Sequence, residues 1–322
     1  PHTELLASTL CLGTGSLGST VMESDSFRLL DAFLHLGGNF IDTAKIYADW
    51  IPGERSASEK MIGKWLKRAN SRHNVIMGTK GAHPPLENLH QPRLSPIEIT
   101  ADLNASLQHL QTDYIDLYWL HRDDPNRPVE DIMETLNIAE KAGKVRYFGC
   151  SNWTVPRIEA ANAYAAKQGF RGFAATQNMW SLAVPNKDAI EDKTLVMMED
   201  RDRAFHEKSG MAAIPYSSQA NGFFSGRYRK GEPLSAANSA KHVEGYYYND
   251  ENFARLERLE RVANQQNLTR TQVALGYLLS QPFPVFPIVG CYNITQLQDS
   301  CTSGNVNLDL KVLRYLENGN QQ

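Results

Sequence analysis

The sequence predicts an α/β protein closed into a (β/α)8 TIM barrel, and three observations carry that expectation. Eight short β-branched or apolar runs recur along the 322 residues. Each is followed by a longer stretch of helical periodicity, which implies parallel strands because every crossover must return over the sheet. No G-x-G-x-x-G follows the first strand and opens a helix, as an open dinucleotide-binding sheet would require. Gly13-Thr14-Gly15-Ser16-Leu17-Gly18 has the glycine spacing, but helical patterning begins only near Asp25, so it reads as a loop signal.

The expected strands are residues 9–13, 39–43, 74–79, 114–121, 145–149, 174–178, 211–216 and 285–289. Between them lie apolar stripes at spacings of three and four. Phe27, Leu30, Phe33 and Leu34 form one; Ile62, Trp65 and Leu66 form another; Ile99, Leu103, Leu107 and Leu110 form a third. Ser95-Pro96 supplies a capping hydroxyl before a proline at the first helical position. Thr154-Val155-Pro156 opens a further helix, and Gly37-Gly38 and Gly143 stand where helices should end. Two stretches break the rhythm. Residues 192–207 are highly charged with a helical look, either an exposed helix or an interface. Residues 222–249, rich in Gly, Ser, Asn and Tyr, read as a mobile surface loop or as a lid over a cofactor.

Composition bounds the partners. With 42% hydrophobic and 21% charged residues, the chain can bury a sizeable core, and residues 1–322 are read as one domain. A net charge of −3 gives no electrostatic footprint for nucleic acid or an acidic membrane. The longest apolar runs are strand-sized, too short to span a bilayer. Pro1-His2-Thr3-Glu4 lacks the basic flank and apolar run of a signal peptide. The first residue is not Met, which leaves open that residues preceded Pro1. Cys11, Cys150, Cys291 and Cys301 are scattered and form no C-x-x-C, so reduced thiols and a cytoplasmic location are expected. A Cys291–Cys301 pairing would need a helix end to fold back.

Active sites of such barrels lie at the carboxyl ends of the strands. Strand two ends at Asp42-Thr43-Ala44 with Tyr47 just beyond, strand three at Thr79-Lys80, and strand four at Leu120-His121. Singly, each has a plain structural explanation: a packed tyrosine, a helix-capping aspartate, a solvated lysine, a satisfied histidine. Together they make a coherent set for carbonyl reduction. A tyrosine can donate a proton to the substrate oxygen, with its pKa expected to fall from about 10 beside an ammonium. A carboxylate keeps that ammonium charged, and an imidazole holds the oxygen as charge develops.

Asn39-Phe40-Ile41-Asp42-Thr43-Ala44-x-x-Tyr47, followed by Ser58-Glu59, resembles the aldo-keto reductase signature. Thr79-Lys80, Leu120-His121, Gly149-Cys150-Ser151-Asn152 and Gln177-Asn178 match further motifs of that family in order. The resemblance runs from about Leu12 to about Ser300 and implies a (β/α)8 barrel that reduces aldehydes or ketones with NADPH, without metal. It implies a catalytic tetrad of Asp42, Tyr47, Lys80 and His121. It places Ser151, Asn152 and Gln177 at the nicotinamide carboxamide and Tyr216 against the nicotinamide ring. Gly222 and Ser225-Gly226-Arg227 resemble the loop around the pyrophosphate, and Gly13, Ser217, Gly290, Asn293, Gln296 and Asp299 fall at further cofactor positions.

The window from Pro287 to Ser300 contains no Lys or Arg to pair with a 2′-phosphate. The family implies NADP(H), and this departure leaves NAD(H) open. Asp49, Trp50, Arg122, Asp123 and Trp153 adjoin the tetrad and are expected to line a substrate pocket. Carboxylates beside indoles suit a sugar or polyol; solvated loop residues and half-buried tryptophans are the plainer reading. The expected partner is a small-molecule carbonyl or alcohol. A module that senses nicotinamide cofactor with little turnover is the competing function. A metal-dependent hydrolase would need more His and carboxylate ligands at strand ends than the sequence offers. Oligomeric state and reaction direction are not readable.

Overall fold

A computed structural model describes residues 3–232 and 238–320, with side chains from 241 onward in the second segment. Its eight strands are β1 (Cys11–Gly13), β2 (Phe40–Asp42), β3 (Ile76–Gly81), β4 (Ile115–Leu120), β5 (Val145–Ser151), β6 (Ala175–Gln177), β7 (Ala212–Ala213) and β8 (Ile288–Gly290). All pair in parallel in the order β7-β6-β5-β4-β3-β2-β1-β8. The ring closes where Ala213 bridges Val285, just before β8. There Ala213 N–H donates to Pro284 O, and Phe286 N–H donates to Ala213 O, both at 2.9 Å. The eightfold β/α alternation read from the sequence is therefore the architecture of the molecule.

The helices are α1 (Glu23–His35), α2 (Ala57–Ala69), α3 (Pro96–Leu110), α4 (Val129–Lys141), α5 (Val155–Gln168), α6 (Asp200–Ser209), α7 (Asn238–Tyr247), α8 (Asp250–Gln266), α9 (Arg270–Leu279), α10 (Ile294–Cys301) and α11 (Leu310–Asn318). Sequence signals fix several starts. Ser95 and Glu98 form a reciprocal capping box with Pro96 at the first turn of α3. Thr154 precedes α5, with Pro156 in its first turn.

The two closing strands are shorter than expected, and proline explains it. Pro284 and Pro287 have no N–H for the ladder, so β8 starts only at Ile288. Pro215 likewise follows β7, and Ser217 beyond it turns left-handed at φ +53°. The charged stretch 192–207 forms a helix only from Asp200; its first part is loop. Residues 220–228 and 241–249 are not a loose surface loop, because Phe223, Phe224, Tyr228 and Tyr247 are buried in an aromatic cluster with partly buried Phe253. Residues 233–237 of the lid expectation lie outside the described residues. The four cysteines are free thiols, and Cys291 and Cys301 are not bonded.

Period-two alternation decides what faces the barrel interior. Cys11, Phe40, Ile76, Leu117, Trp119, Ala175, Ala212 and Ile214 form the inner cluster. The next inward positions toward the carboxyl ends are Asp42 after Phe40, Lys80 two beyond Gly78, His121 after Trp119, and Gln177 after Ala175. The apolar plug, with fully buried Trp119 across it, thus carries a polar layer on top. Among the described residues no helix is long and apolar enough to cross a membrane.

Candidate active site

That polar layer converges. Lys80 Nζ donates to Asp42 Oδ2 at 2.5 Å, to the Thr43 carbonyl at 2.7 Å, and to the Tyr47 hydroxyl oxygen at 2.8 Å. An ammonium has three N–H bonds, and all three are used. Asp42 is completed by Gln177 Nε2–H, which donates to Oδ1 at 3.1 Å. The His121 ring stands edge-on to Tyr47 with centroids 6.0 Å apart. The structure therefore brings Asp42, Tyr47, Lys80 and His121 together from three strand ends.

Electrostatics sort their protonation states. Burial raises the Asp42 carboxyl, opposed by the Lys80 charge and hydrogen bond. Burial pulls Lys80 down, but Asp42 and Tyr47 hold its ammonium above the ordinary lysine value. The lowered tyrosine pKa expected from sequence is not met. Burial raises the Tyr47 hydroxyl above 10, because Asp42 pushes against the downward pull of Lys80. Tyr47 is thus a phenol, not a phenolate, at neutral pH. His121 is held well below its usual value by burial and by the nearby His83, Arg122 and Lys80, so its ring is neutral.

On the far side, Asn152 leaves β5 in a left-handed conformation (φ +60°) and ties four strand ends. Its N–H donates to Asn178 Oδ1 at 2.9 Å, and Nδ2–H donates to the His121 carbonyl at 3.3 Å. Its Oδ1 accepts from Val196 N–H at 3.0 Å and from the Tyr216 hydroxyl at 2.7 Å. Ser151 Oγ–H donates to the Gln177 carbonyl at 2.7 Å. Ser151, Asn152, Gln177 and Tyr216 therefore form one connected patch beside the Asp42 group.

The backbone after β7 has the form of an anion cradle. Ser217, Ala220, Asn221, Gly222 and Gly226 all have φ between +49° and +86°, and such left-handed runs turn N–H groups into concavities. A Cβ on Gly222 would sit 2.9 Å from Arg227 Nη2, so bare backbone lies directly under that guanidinium. Arg227 is exposed and has no carboxylate partner among the described residues. Across the barrel seam, Asn293 caps α10, accepting from Gln296 N–H at 2.9 Å. Asp299 Oδ1 accepts from the Thr269 hydroxyl at 3.1 Å. Gly13 and Gly290 pair across β1 and β8 beneath this rim. A cradle with an unpaired guanidinium fits a diphosphate, so the residues present suit a dinucleotide lying from Tyr216 to α10. Three or more metal-ligating side chains are not clustered anywhere among the described residues.

The expected substrate residues fare differently. Trp50 is 53% exposed and stands edge-on to Tyr47, centroids 5.8 Å apart, at the mouth of the site. Trp153 is fully buried, packed on Phe173, with Nε1–H donating to the Arg122 carbonyl at 3.2 Å; it cannot line an open pocket. Asp123 is gripped through both carboxylate oxygens by Arg157 at 3.1 Å. Asp49 Oδ1 accepts the Ser56 N–H at 2.6 Å and its Oδ2 faces Arg55. Arg122 is consumed by Asp192 at 2.9 Å, by the Thr194 hydroxyl at 2.8 Å and by the His121 carbonyl. It pins residues 192–196 against the site instead of facing substrate. Sequence reading missed His83, whose ring centroid lies 4.6 Å from that of His121. Its signal in the sequence is a histidine three residues past Lys80, in the loop beyond the strand end.

Eight parallel strands with this buried polar group at their carboxyl ends fit an oxidoreductase that interconverts carbonyls and alcohols. The chain belongs to the aldo/keto reductase family: the family model matches residues 9–320. It is 30% identical to the uncharacterized oxidoreductase YrpG of Bacillus subtilis (strain 168), over 98% of this chain and 93% of the relative. It is 29% identical to norsolorinic acid reductase A of Aspergillus parasiticus, over 98% of this chain and 79% of that one. Aryl-alcohol dehydrogenase GME11368 of Pestalotiopsis microspora is 27% identical, over 99% and 80% of the two chains.

Proposed function

We propose that the protein is an NAD(P)(H)-dependent reductase of small carbonyl compounds in which Tyr47 donates the proton. One observation carries the reading. Lys80 spends its three N–H bonds on Asp42, Thr43 and the Tyr47 oxygen, so Tyr47 accepts from Lys80 and its own O–H is directed elsewhere. No acceptor for that proton exists among the described residues.

A reduced nicotinamide, when bound, supplies the hydride. Ser151, Asn152 and Gln177 would hold its carboxamide, Tyr216 its ring, Gly222 and Arg227 its diphosphate, and Asn293, Gln296 and Asp299 its adenosine end, with Gly13, Ser217 and Gly290 in the floor. The substrate oxygen sits between Tyr47 and the neutral His121, which donates a hydrogen bond as negative charge grows. Tyr47 then passes its proton to that oxygen, and the Lys80 ammonium stabilises the phenolate left behind. Asp42, held by Gln177, keeps Lys80 charged. The absence of Lys or Arg from residues 287–300 supports use of NAD(H) as well as NADP(H).

The substrate reading shifts from the sequence. The sugar or polyol expectation rested on Asp49, Trp50, Arg122, Asp123 and Trp153, and all but Trp50 are turned to protein partners. What remains at the mouth is aromatic: Tyr47, Trp50, His83, His121 and Tyr216. That lining favours a carbonyl with a flat or apolar face, and a relative named for an aryl alcohol agrees.

The test is nicotinamide absorbance with a panel of aliphatic, aromatic and hydroxylated carbonyls, run on wild type and Tyr47→Phe. Turnover in Tyr47→Phe should fall about 10²- to 10⁴-fold with cofactor affinity retained. A mutant that turns over at the wild-type rate overturns the proton-donor role. Tight cofactor binding with no turnover of any carbonyl in wild type would favour a cofactor sensor instead.

A further inference from the structure

The loop leaving β3 carries a second imidazole that the mechanism above does not use. His83 meets His121 edge-on, and it is held there by an unusual amount of scaffold. Ala82, just before it, is fully buried with φ +59°, a left-handed conformation that a residue with a Cβ rarely adopts. Its N–H donates to Asp102 Oδ2 at 2.9 Å, and the His83 carbonyl accepts from Arg93 Nη1 at 3.3 Å. Arg93 in turn grips both oxygens of Asp102, at 2.9 and 3.2 Å, and Lys45 approaches the same carboxylate at 3.2 Å. Strain over-determined by its surroundings in this way is concentrated at functional sites.

The ring chemistry is also fixed. Nδ1 lies 2.6 Å from the Pro84 carbonyl oxygen. A carbonyl oxygen can only accept, so Nδ1 carries the hydrogen. Burial, then the Arg122 charge, holds the pKa down to about 4, which leaves the ring neutral and Nε2 a bare lone pair. No described residue donates to Nε2, and unlike His121 Nδ1 the atom is not sealed from solvent.

A substrate oxygen held by Tyr47 and His121 lies about 3 Å from each. With the two imidazole centroids 4.6 Å apart, His83 reaches a group one or two bonds away from that carbonyl. We infer that His83 is a specificity-determining residue: its Nε2 accepts a hydrogen bond from a hydroxyl on the carbon next to the substrate carbonyl. This rests on the proposed seating of the carbonyl between Tyr47 and His121, and it narrows the substrate class to α-hydroxy aldehydes and ketones, aryl ones included. A site built around a polar partner rejects the analogue that lacks it, because the site's own polar group is then left unmet.

The experiment compares two matched pairs: 2-hydroxypropanal against propanal, and 2-hydroxy-1-phenylethanone against acetophenone. Wild type, His83→Phe and His83→Gln are assayed for kcat and KM on each. Wild type should favour the hydroxylated member of at least one pair by tenfold or more in kcat/KM. His83→Phe should erase that preference, and His83→Gln, which keeps an acceptor, should restore part of it. A wild type with no preference in either pair, or a His83→Phe ratio equal to wild type, overturns the inference and leaves the reductase reading standing. A wild type that reduces none of the four compounds and no other carbonyl overturns both.

Discussion

The two ends of the site are built by different means. At the proposed proton end, Asp42 and Lys80 are buried side chains on adjoining strand ends, joined to half-buried Tyr47 just beyond and locked by three hydrogen bonds from one ammonium. At the proposed cofactor-tail end, the cradle after β7 and the cap of α10 are backbone conformations near solvent, with exposed Arg227, which has no carboxylate partner among the described residues, beside them. The first end is rigid and intolerant because its charges have no water to fall back on. The second can be altered piecemeal, because each part is exposed and contributes alone.

The largest expected effect comes from breaking the buried end. Lys80→Met leaves Asp42 without its counter-charge in the barrel interior. Such an uncompensated group costs about 3–5 kcal/mol, so denaturant unfolding should show a loss of that order together with abolished turnover. A variant that keeps wild-type stability would mean that Asp42 is already neutral in the fold, and the contrast between the two ends would collapse.

A middling effect is expected at the exposed end. Arg227→Ala should raise the cofactor dissociation constant about tenfold through a lost charge-assisted hydrogen bond, read by fluorescence titration. Stability should stay within about 0.5 kcal/mol of wild type, as for other surface changes. An unchanged dissociation constant would remove the guanidinium from the cradle and leave binding to the backbone alone.

The smallest effect is a shape instead of a loss. Tyr47 is raised above 10, so its proton is present below that pKa and lost above it. His121 titrates well below its usual value. The kcat/KM of reduction should therefore run flat through neutral pH and fall only in the alkaline range. A clear inflection between about pH 6 and 7, where an unperturbed histidine titrates, would show an imidazole that protonates in the free enzyme and would shift the acid role away from Tyr47.

The same contrast explains what the sequence could tell. Asp42, Lys80, His121 and Gln177 were legible because alternation along short strands forces them to the inner face, one step above the apolar plug. The eight-unit architecture was legible from the strand–helix rhythm. The fates of Arg122, Asp123 and Trp153 were not, because each depends on a partner distant in the chain: Asp192 and Thr194 for the arginine, Arg157 for the aspartate, and Phe173 for the indole. Residue type and proximity to a motif say nothing about such pairings. The direction of the Tyr47 shift was missed for a related reason. The ammonium beside it was visible in sequence, but the burial that outweighs it is a property of the closed barrel.

The β7–β8 join rests on a single bridge and a few backbone bonds, whereas β3, β4 and β5 pair over much longer runs. Both sides of that seam lead straight into the proposed cofactor rim, Tyr216 to Gly222 on one side and Gly290 to Asn293 on the other. A dinucleotide lying across it would work as a clasp on a barrel stave: the weakest join is the one each binding event fastens and each release loosens.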